Sequence, residues 1–154
     1  MTDITILIDS RQKPEQNEYI RKQLEDLGYD TDVCKLYVGD YVIANNHSIS
    51  VDTKANMSEI CSNAVTDHER FRNECMRAQN AGIKLIILIC DPDIKDLSGV
   101  FGWKNPRRFF SKRATTGKTL VKILYKMRDT YGVDFQFATE DKMGERIIEL
   151  LEGG

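Results

Sequence analysis

The sequence predicts an α/β sandwich, a mixed β-sheet held between layers of helix. Three observations carry this. Strand-like and helix-like patterns follow one another along the 154 residues in the order β-α-β-β-β-α-α-β-α-β-α. The run Lys84 to Cys90, KLIILIC, is apolar after its first residue and lies between helical segments, the mark of a central strand covered on both faces. The stretch Val38 to Lys54 reads as a β-hairpin. A content of 41% hydrophobic and 30% charged residues suits one globular domain, 1–154, with its own core.

Each element has a local reason. Thr2 to Ile8 is rich in β-branched residues and reads as a buried strand ending at Asp9. Pro14 suits the first turn of a helix to Leu27, with Ile20, Leu24 and Leu27 on its apolar face and Gly28 as its stop. Thr31 to Leu36 is a second strand. Gly39 permits a turn into the hairpin, whose strands are Tyr41-Val42-Ile43 and Ser48 to Val51, with Ala44 to His47 as its turn. Asn56 or Ser58 caps a short helix through Ala64, and Asp67 caps a longer one from His68 to Asn80. Phe71, Cys75 and Ala78 share a face of the latter. A loop begins at Gly102. Thr116 then caps a helix from Gly117 to Tyr131, with Leu120, Ile123, Leu124 and Met127 inward and Gly132 as its stop. Val133 to Phe137 is a strand, and Thr139 opens a last helix to Leu151.

Several classes are disfavoured. No apolar run reaches membrane-spanning length, and the N-terminus lacks a basic-then-apolar leader. Cys34, Cys61, Cys75 and Cys90 are widely spaced with no CxxC pair, which argues against zinc or a disulfide framework and for reduced thiols in the cytoplasm. Thr116-Gly117-Lys118-Thr119 looks like the end of a P-loop. The glycine required five residues before Gly117 is Lys112, so no nucleotide cofactor is expected.

Net charge is −2, but the charges are segregated. Between Trp103 and Arg128 stand nine basic residues and no acidic one, which leaves 13 basic against 24 acidic elsewhere, a net of −11. A polyanion-facing surface on an acidic protein has this pattern. Lys118, Lys122 and Lys126 recur every four residues as one helical stripe, a solvated face or a phosphate-binding one. Trp103, Phe109 and Phe110 interleave with Lys104, Arg107, Arg108, Lys112 and Arg113. Such aromatics stack on unpaired bases or belong to the core. DNA backbone binding by the segment 103–128 is the favoured reading.

The hairpin carries the chemistry. Asp52 and Lys54, two apart on a strand, share a face, and the hairpin folds Asp40 back beside them. Two carboxylates can hold Mg²⁺, and a neighbouring lysine can orient or help deprotonate an attacking water. The layout D-x11-D-x-K is the pattern of the PD-(D/E)xK nucleases. Spacing alone fits an exposed hairpin with surface charges better.

The surroundings change that weighing. Ile6-Leu7-Ile8-Asp9-Ser10-Arg11, then Val38-Gly39-Asp40-Tyr41-Val42, then Val51-Asp52-Thr53-Lys54 resemble, in order and spacing, the XPF-type structure-specific nuclease domain. That family reads roughly I-D-x-R-E, V/I-G-D-Y and V-E-R-K-x3-D. Arg70-Phe71 and the strand Leu85 to Ile89 extend the likeness, which covers about residues 4–91. The resemblance implies a restriction-endonuclease-like three-layer fold and a Mg²⁺- or Mn²⁺-dependent endonuclease acting on branched or flap-like DNA. Asp40 and Asp52 would be the metal ligands, with Asp9 and the Thr53 carbonyl as further candidates, and Lys54 would position the water. Asp9 equally suits a strand-end residue that caps its loop. Arg11 and Arg70 would contact the scissile phosphate or form surface salt bridges. Relatives often pair, so a homodimer is expected. Gln12 stands where the family has Glu, Asp52 replaces Glu, and Thr53 replaces Arg. Ser58 replaces the last Asp, with Glu59 after it, and Glu74 stands where many members have Gln. Two other readings stay open: a catalytically silent DNA-binding or scaffolding module, and a Holliday-junction resolvase.

Overall fold

In the computed structural model, residues 3–153 are described, and the α-helices and strands follow the order read from the sequence. They are β1 (Thr5–Asp9), α1 (Pro14–Asp26), β2 (Asp30–Cys34), β3 (Tyr41–Ile43), β4 (Asn46–Lys54), α2 (Met57–Cys61), α3 (His68–Asn80), β5 (Lys84–Cys90), α4 (Gly117–Tyr131), β6 (Asp134–Ala138) and α5 (Met143–Glu152). The six strands form one mixed sheet in the order β2-β1-β3-β4-β5-β6. Parallel pairs join β1 to β2, β4 to β5 and β5 to β6, and antiparallel pairs join β1 to β3 and β3 to β4. Helices cover both faces, so the fold is the expected three-layer α/β arrangement.

Strand β5 shows why. Its residues alternate between the two cores: Leu85, Ile87 and Ile89 pack beneath α2, α3 and α4, while Ile86 and Leu88 pack beneath α1 and α5. A strand with two buried faces has no position for a polar residue, hence the unbroken apolar run. Ile60, Phe71, Leu120 and Leu124 close the first side, and Ile20, Leu24, Ile147 and Leu151 the second.

Some boundaries move. The hairpin turn is only Ala44–Asn45, because Ile43 pairs with Asn46, and β4 runs on to Lys54 because Ile49–Lys54 pairs with Lys84–Ile89. Thr2, where the first strand was expected to begin, lies outside the described residues. Asn56, not Ser58, caps α2, its side chain accepting from Glu59 N at 2.9 Å. A π-helical turn, Ser62–Thr66, carries α2 into α3, where Asp67 precedes the helix without a side-chain cap bond. Thr116 caps α4 as expected, accepting from Thr119 N at 3.2 Å, and Gly132 ends it at φ 72°. Val121 joins its buried face, while Ile123 is half-buried. Short 3-10 turns at Leu97–Gly102 and Pro106–Phe109 give the expected loop its shape. Among the described residues no helix is long and apolar enough to cross a membrane.

Candidate active site

The site is built on the entry to the hairpin. Gly39 has φ 78°, the left-handed region, and a Cβ there would run into the Ser50 hydroxyl. Ser50 Oγ is buried and donates to the Val38 carbonyl at 2.7 Å, which locks this turn. Asp40 follows at once. Its N–H donates to Val51 O at 2.9 Å and its carbonyl accepts from Asp9 N at 2.8 Å, so its backbone ties β1 to β4. Its Oδ2 accepts from Thr53 N at 2.9 Å and Thr53 Oγ1 at 3.2 Å.

Asp52 and Lys54 share a face of β4, and the Lys54 Nζ stands 3.1 Å from Asp52 Oδ2. Both are sheltered, with side chains 8% and 12% exposed. The ammonium lies 5.7 Å from the Phe71 ring centroid, so α3 helps to set its position. Asp40, Asp52 and Lys54 therefore meet on the floor of a cleft of about 1010 Å³, with Glu74 and Gln12 beside them and Arg11, Arg70 and Arg77 along its walls.

The electrostatics follow from this crowding. Burial, then the adjacent Asp52 carboxylate, pushes the Asp40 carboxyl well above the usual range, and the opposing pull of the Thr53 amide and Lys54 does not offset it. Burial, then Asp52, pushes Glu74 up to about 7. For Lys54, burial acts to lower the pKa, but Asp52, with Glu74 and Asp40 behind it, outweighs burial and the net shift is upward. These carboxylate neighbours favour the ammonium form of Lys54.

A cation fits this group. Three carboxylates face one ammonium. Asp52 Oδ2 is buried and lacks a well-formed hydrogen bond despite the nearby ammonium, and both amide atoms of Gln12 are buried without a partner. Among the described residues no three His, Cys, Asp or Glu are placed to hold a metal ion together, and Mg²⁺ can be held through one or two carboxylates with waters and substrate oxygens.

The other sequence candidates fall into clear places. Both Asp9 oxygens accept from Arg11, Nε at 3.0 Å and Nη2 at 3.2 Å, and Oδ1 also accepts from Leu36 N at 2.9 Å. Arg11 Nη2 donates in turn to Leu36 O at 2.7 Å. These bonds engage both Asp9 oxygens at the strand end and fix Arg11 at the cleft. Arg70 is exposed on the wall. Glu59 lines the cleft but turns back to accept from Ala55 N at 3.3 Å, supporting the start of α2. His47 and His68 bond to the Ala44 and Ala64 carbonyls.

The basic segment splits. Arg107 and Arg113 line a recess beside α2. Trp103, Lys104, Arg108 and Lys118 line a groove at the start of α4. Lys112, Lys122 and Lys126 are exposed. Arg108 Nη1 donates to the Lys112 and Ala114 carbonyls at 3.1 and 2.8 Å, pinning the loop. Arg128 pairs with Asp129 at 3.3 Å and lies 4.7 Å from the Tyr125 ring centroid, so this charge is engaged locally. Phe109 and Phe110 are exposed, not core, while Trp103 packs half-buried against the core.

The sequence marks Gln12 and Glu74 only as departures from the family pattern and does not single out Arg77. A signal existed: Arg70, Glu74 and Arg77 recur at i, i+4 and i+7, one polar stripe of α3 flanking the apolar stripe of Phe71, Cys75 and Ala78. Gln12 had no such pattern.

With this geometry in view, the comparisons with known proteins have a clear meaning. The family model described as the ERCC4 domain matches residues 8–141, which extends the likeness beyond residues 4–91 and through the basic segment. Among solved structures, XPF from Aeropyrum pernix superposes with a TM-score of 0.65 at 19% identity, over 96% of this chain and 62% of that one. XPF from Aeropyrum pernix in complex with DNA gives 0.69 at 20% identity, over 97% and 64%. The chain spans less than two thirds of either, and at this identity the likeness is one of fold. No curated protein matches. The family match runs from the end of β1 to the turn before α5, and the chain belongs to the ERCC4 domain family, a family of structure-specific DNA nucleases.

Proposed function

We propose that the chain is a divalent-cation-dependent endonuclease that hydrolyses phosphodiester bonds in branched or flap-like DNA. The observation that carries this is the meeting of Asp40, Asp52 and Lys54 on one cleft floor with a surplus of negative charge. Asp40 and Asp52 would hold Mg²⁺ or Mn²⁺. When bound, the ion supplies Lewis acidity toward the scissile phosphate and lowers the pKa of water. Lys54, kept protonated by its carboxylate neighbours, directs N–H donors at the attacking water or a phosphate oxygen. The water oxygen bonds to phosphorus as the water gives up a proton to solvent, the bond to the 3′ oxygen breaks, and that oxygen takes up a proton from solvent, leaving 5′-phosphate and 3′-hydroxyl ends. Arg11, held by Asp9, and Arg70 engage the flanking phosphates. The cations Lys104, Arg107, Arg108, Lys112, Arg113, Lys118, Lys122 and Lys126 carry the DNA, and a homodimer is the proposed assembly.

The neutral Gln12 at a position where the family carries Glu favours a second reading, a silent DNA-binding or scaffolding module. The two separate in a nuclease assay on labelled flap, fork, four-way junction, single-stranded and duplex DNA with Mg²⁺, Mn²⁺ or EDTA. The expected result is metal-dependent cutting of branched DNA, lost in Asp52→Ala while DNA binding remains. All substrates staying uncut with either metal leaves the silent module. Symmetric paired nicks in the junction assign a resolvase instead.

A further inference from the structure

Three depressions on the surface adjoin one another through shared walls. Thr66 lines both the cleft and the recess of Arg107 and Arg113. Asn105 lines both that recess and the groove at the start of α4. The groove has a volume of about 400 Å³, and its walls are aromatic and cationic: Phe101, Trp103 and Phe109 with Lys104, Arg108 and Lys118. Among the described residues no acidic one lines it.

Two of its three aromatics, Phe101 and Phe109, are bare, while Trp103 is half-buried. Phe101 is 59% exposed and Phe109 91%, and Phe110, beside them in sequence, is 93% exposed. Exposed apolar rings in such density mark a contact surface. The groove is also firmly built. Gly117 begins α4 against the carbonyls of Val100, Phe101 and Trp103, with no room for a Cβ, which would stand 2.5 Å from Val100 O. Asn105 is buried and its Nδ2 donates to Thr115 O at 2.9 Å. The turn that carries the rings is thus clamped to the helix that carries Lys118.

We propose that this groove takes unpaired nucleotides of a DNA single strand whose backbone runs over Arg107 and Arg113 into the cleft. Flat rings offer stacking faces to any base, and the three cations answer the phosphates between bases. Charge complementarity selects this occupant, since the groove lies within the stretch of nine basic and no acidic residues. The inference deepens the nuclease reading and rests on it for the strand's direction toward Asp40 and Asp52. It gives that site a physical basis for preferring branched DNA: a duplex has no unpaired base to offer.

The test is fluorescence anisotropy in EDTA, comparing a duplex that ends in single-stranded arms with a full duplex of equal length. Binding without cleavage keeps the comparison valid even if the nuclease reading fails. Phe109→Ser should weaken binding to the armed DNA by roughly 5- to 100-fold and leave duplex binding unchanged. Phe109→Trp should retain the selectivity. Because neither substitution removes a charge, the salt dependence on duplex should not change. Three results overturn the proposal. Phe109→Ser could leave armed-DNA binding intact, or it could weaken both DNAs equally. It could also convert a dimer to a monomer by sedimentation, in step with the loss of binding, which would assign the rings to a second copy of the chain.

Discussion

Glu74→Gln measures the charge surplus of the cleft directly. The folded protein holds Glu74 at about 7 against an ordinary value of 4.5, chiefly through burial and then the Asp52 carboxylate. Below pH 4.5 the residue is protonated whether the chain is folded or unfolded, and it contributes nothing. Between 4.5 and about 7 the folded form keeps a proton that the unfolded form has shed, so stability falls as pH rises. Above about 7 both forms are ionised and the full penalty remains. The rise corresponds to about 3 kcal/mol at most, and partial exposure to solvent reduces it to about 2 kcal/mol. Glu74→Gln should therefore match the parent protein near pH 4 and exceed it above pH 7.5, in EDTA, by about 5 °C in Tm for a domain of this size. Mg²⁺ should narrow the gap, because a bound cation supplies the missing positive charge. The assay is calorimetry across pH 4 to 8.5 with and without the metal. A gain of equal size at every pH would refute the argument, since it would show that the substitution acts through packing and not through the surplus of carboxylates.

Lys54→Ala should abolish cleavage yet leave Mg²⁺ binding measurable by calorimetry, because an ammonium is not a ligand; loss of metal binding would give Lys54 a structural part in the ligand set. Replacing Lys118, Lys122 and Lys126 together by Gln should flatten the log–log salt dependence of DNA affinity, expected on the order of −3 to −5 before the change. An unchanged slope would make the α4 stripe a solvated face and move the DNA path toward Arg11 and Arg70. Gly117→Ala should destabilise the fold by about 1–3 kcal/mol, since its Cβ would press on the Val100 and Trp103 carbonyls; a parent-like Tm would refute that close approach.

What the chain determined locally was legible. Period-2 and period-3.6 patterns, caps and stops gave the element order, the limits of β5 and α4, and the shared face of Asp52 and Lys54, because these depend on residues a few positions apart. The family motifs put Asp40 beside them. Everything that depends on partners distant in sequence had to wait for the tertiary structure. The sheet order is set by which edges pair, and the longer β4 by its bonding to β5, some 35 residues away. The engagement of Asp9 with Arg11 and Leu36, and the arrival of Glu74 from α3, follow from packing three elements against one strand end. The perturbed carboxyls have the same origin: desolvation is a property of what covers a group, and the helices that cover this site lie outside the motif that names it.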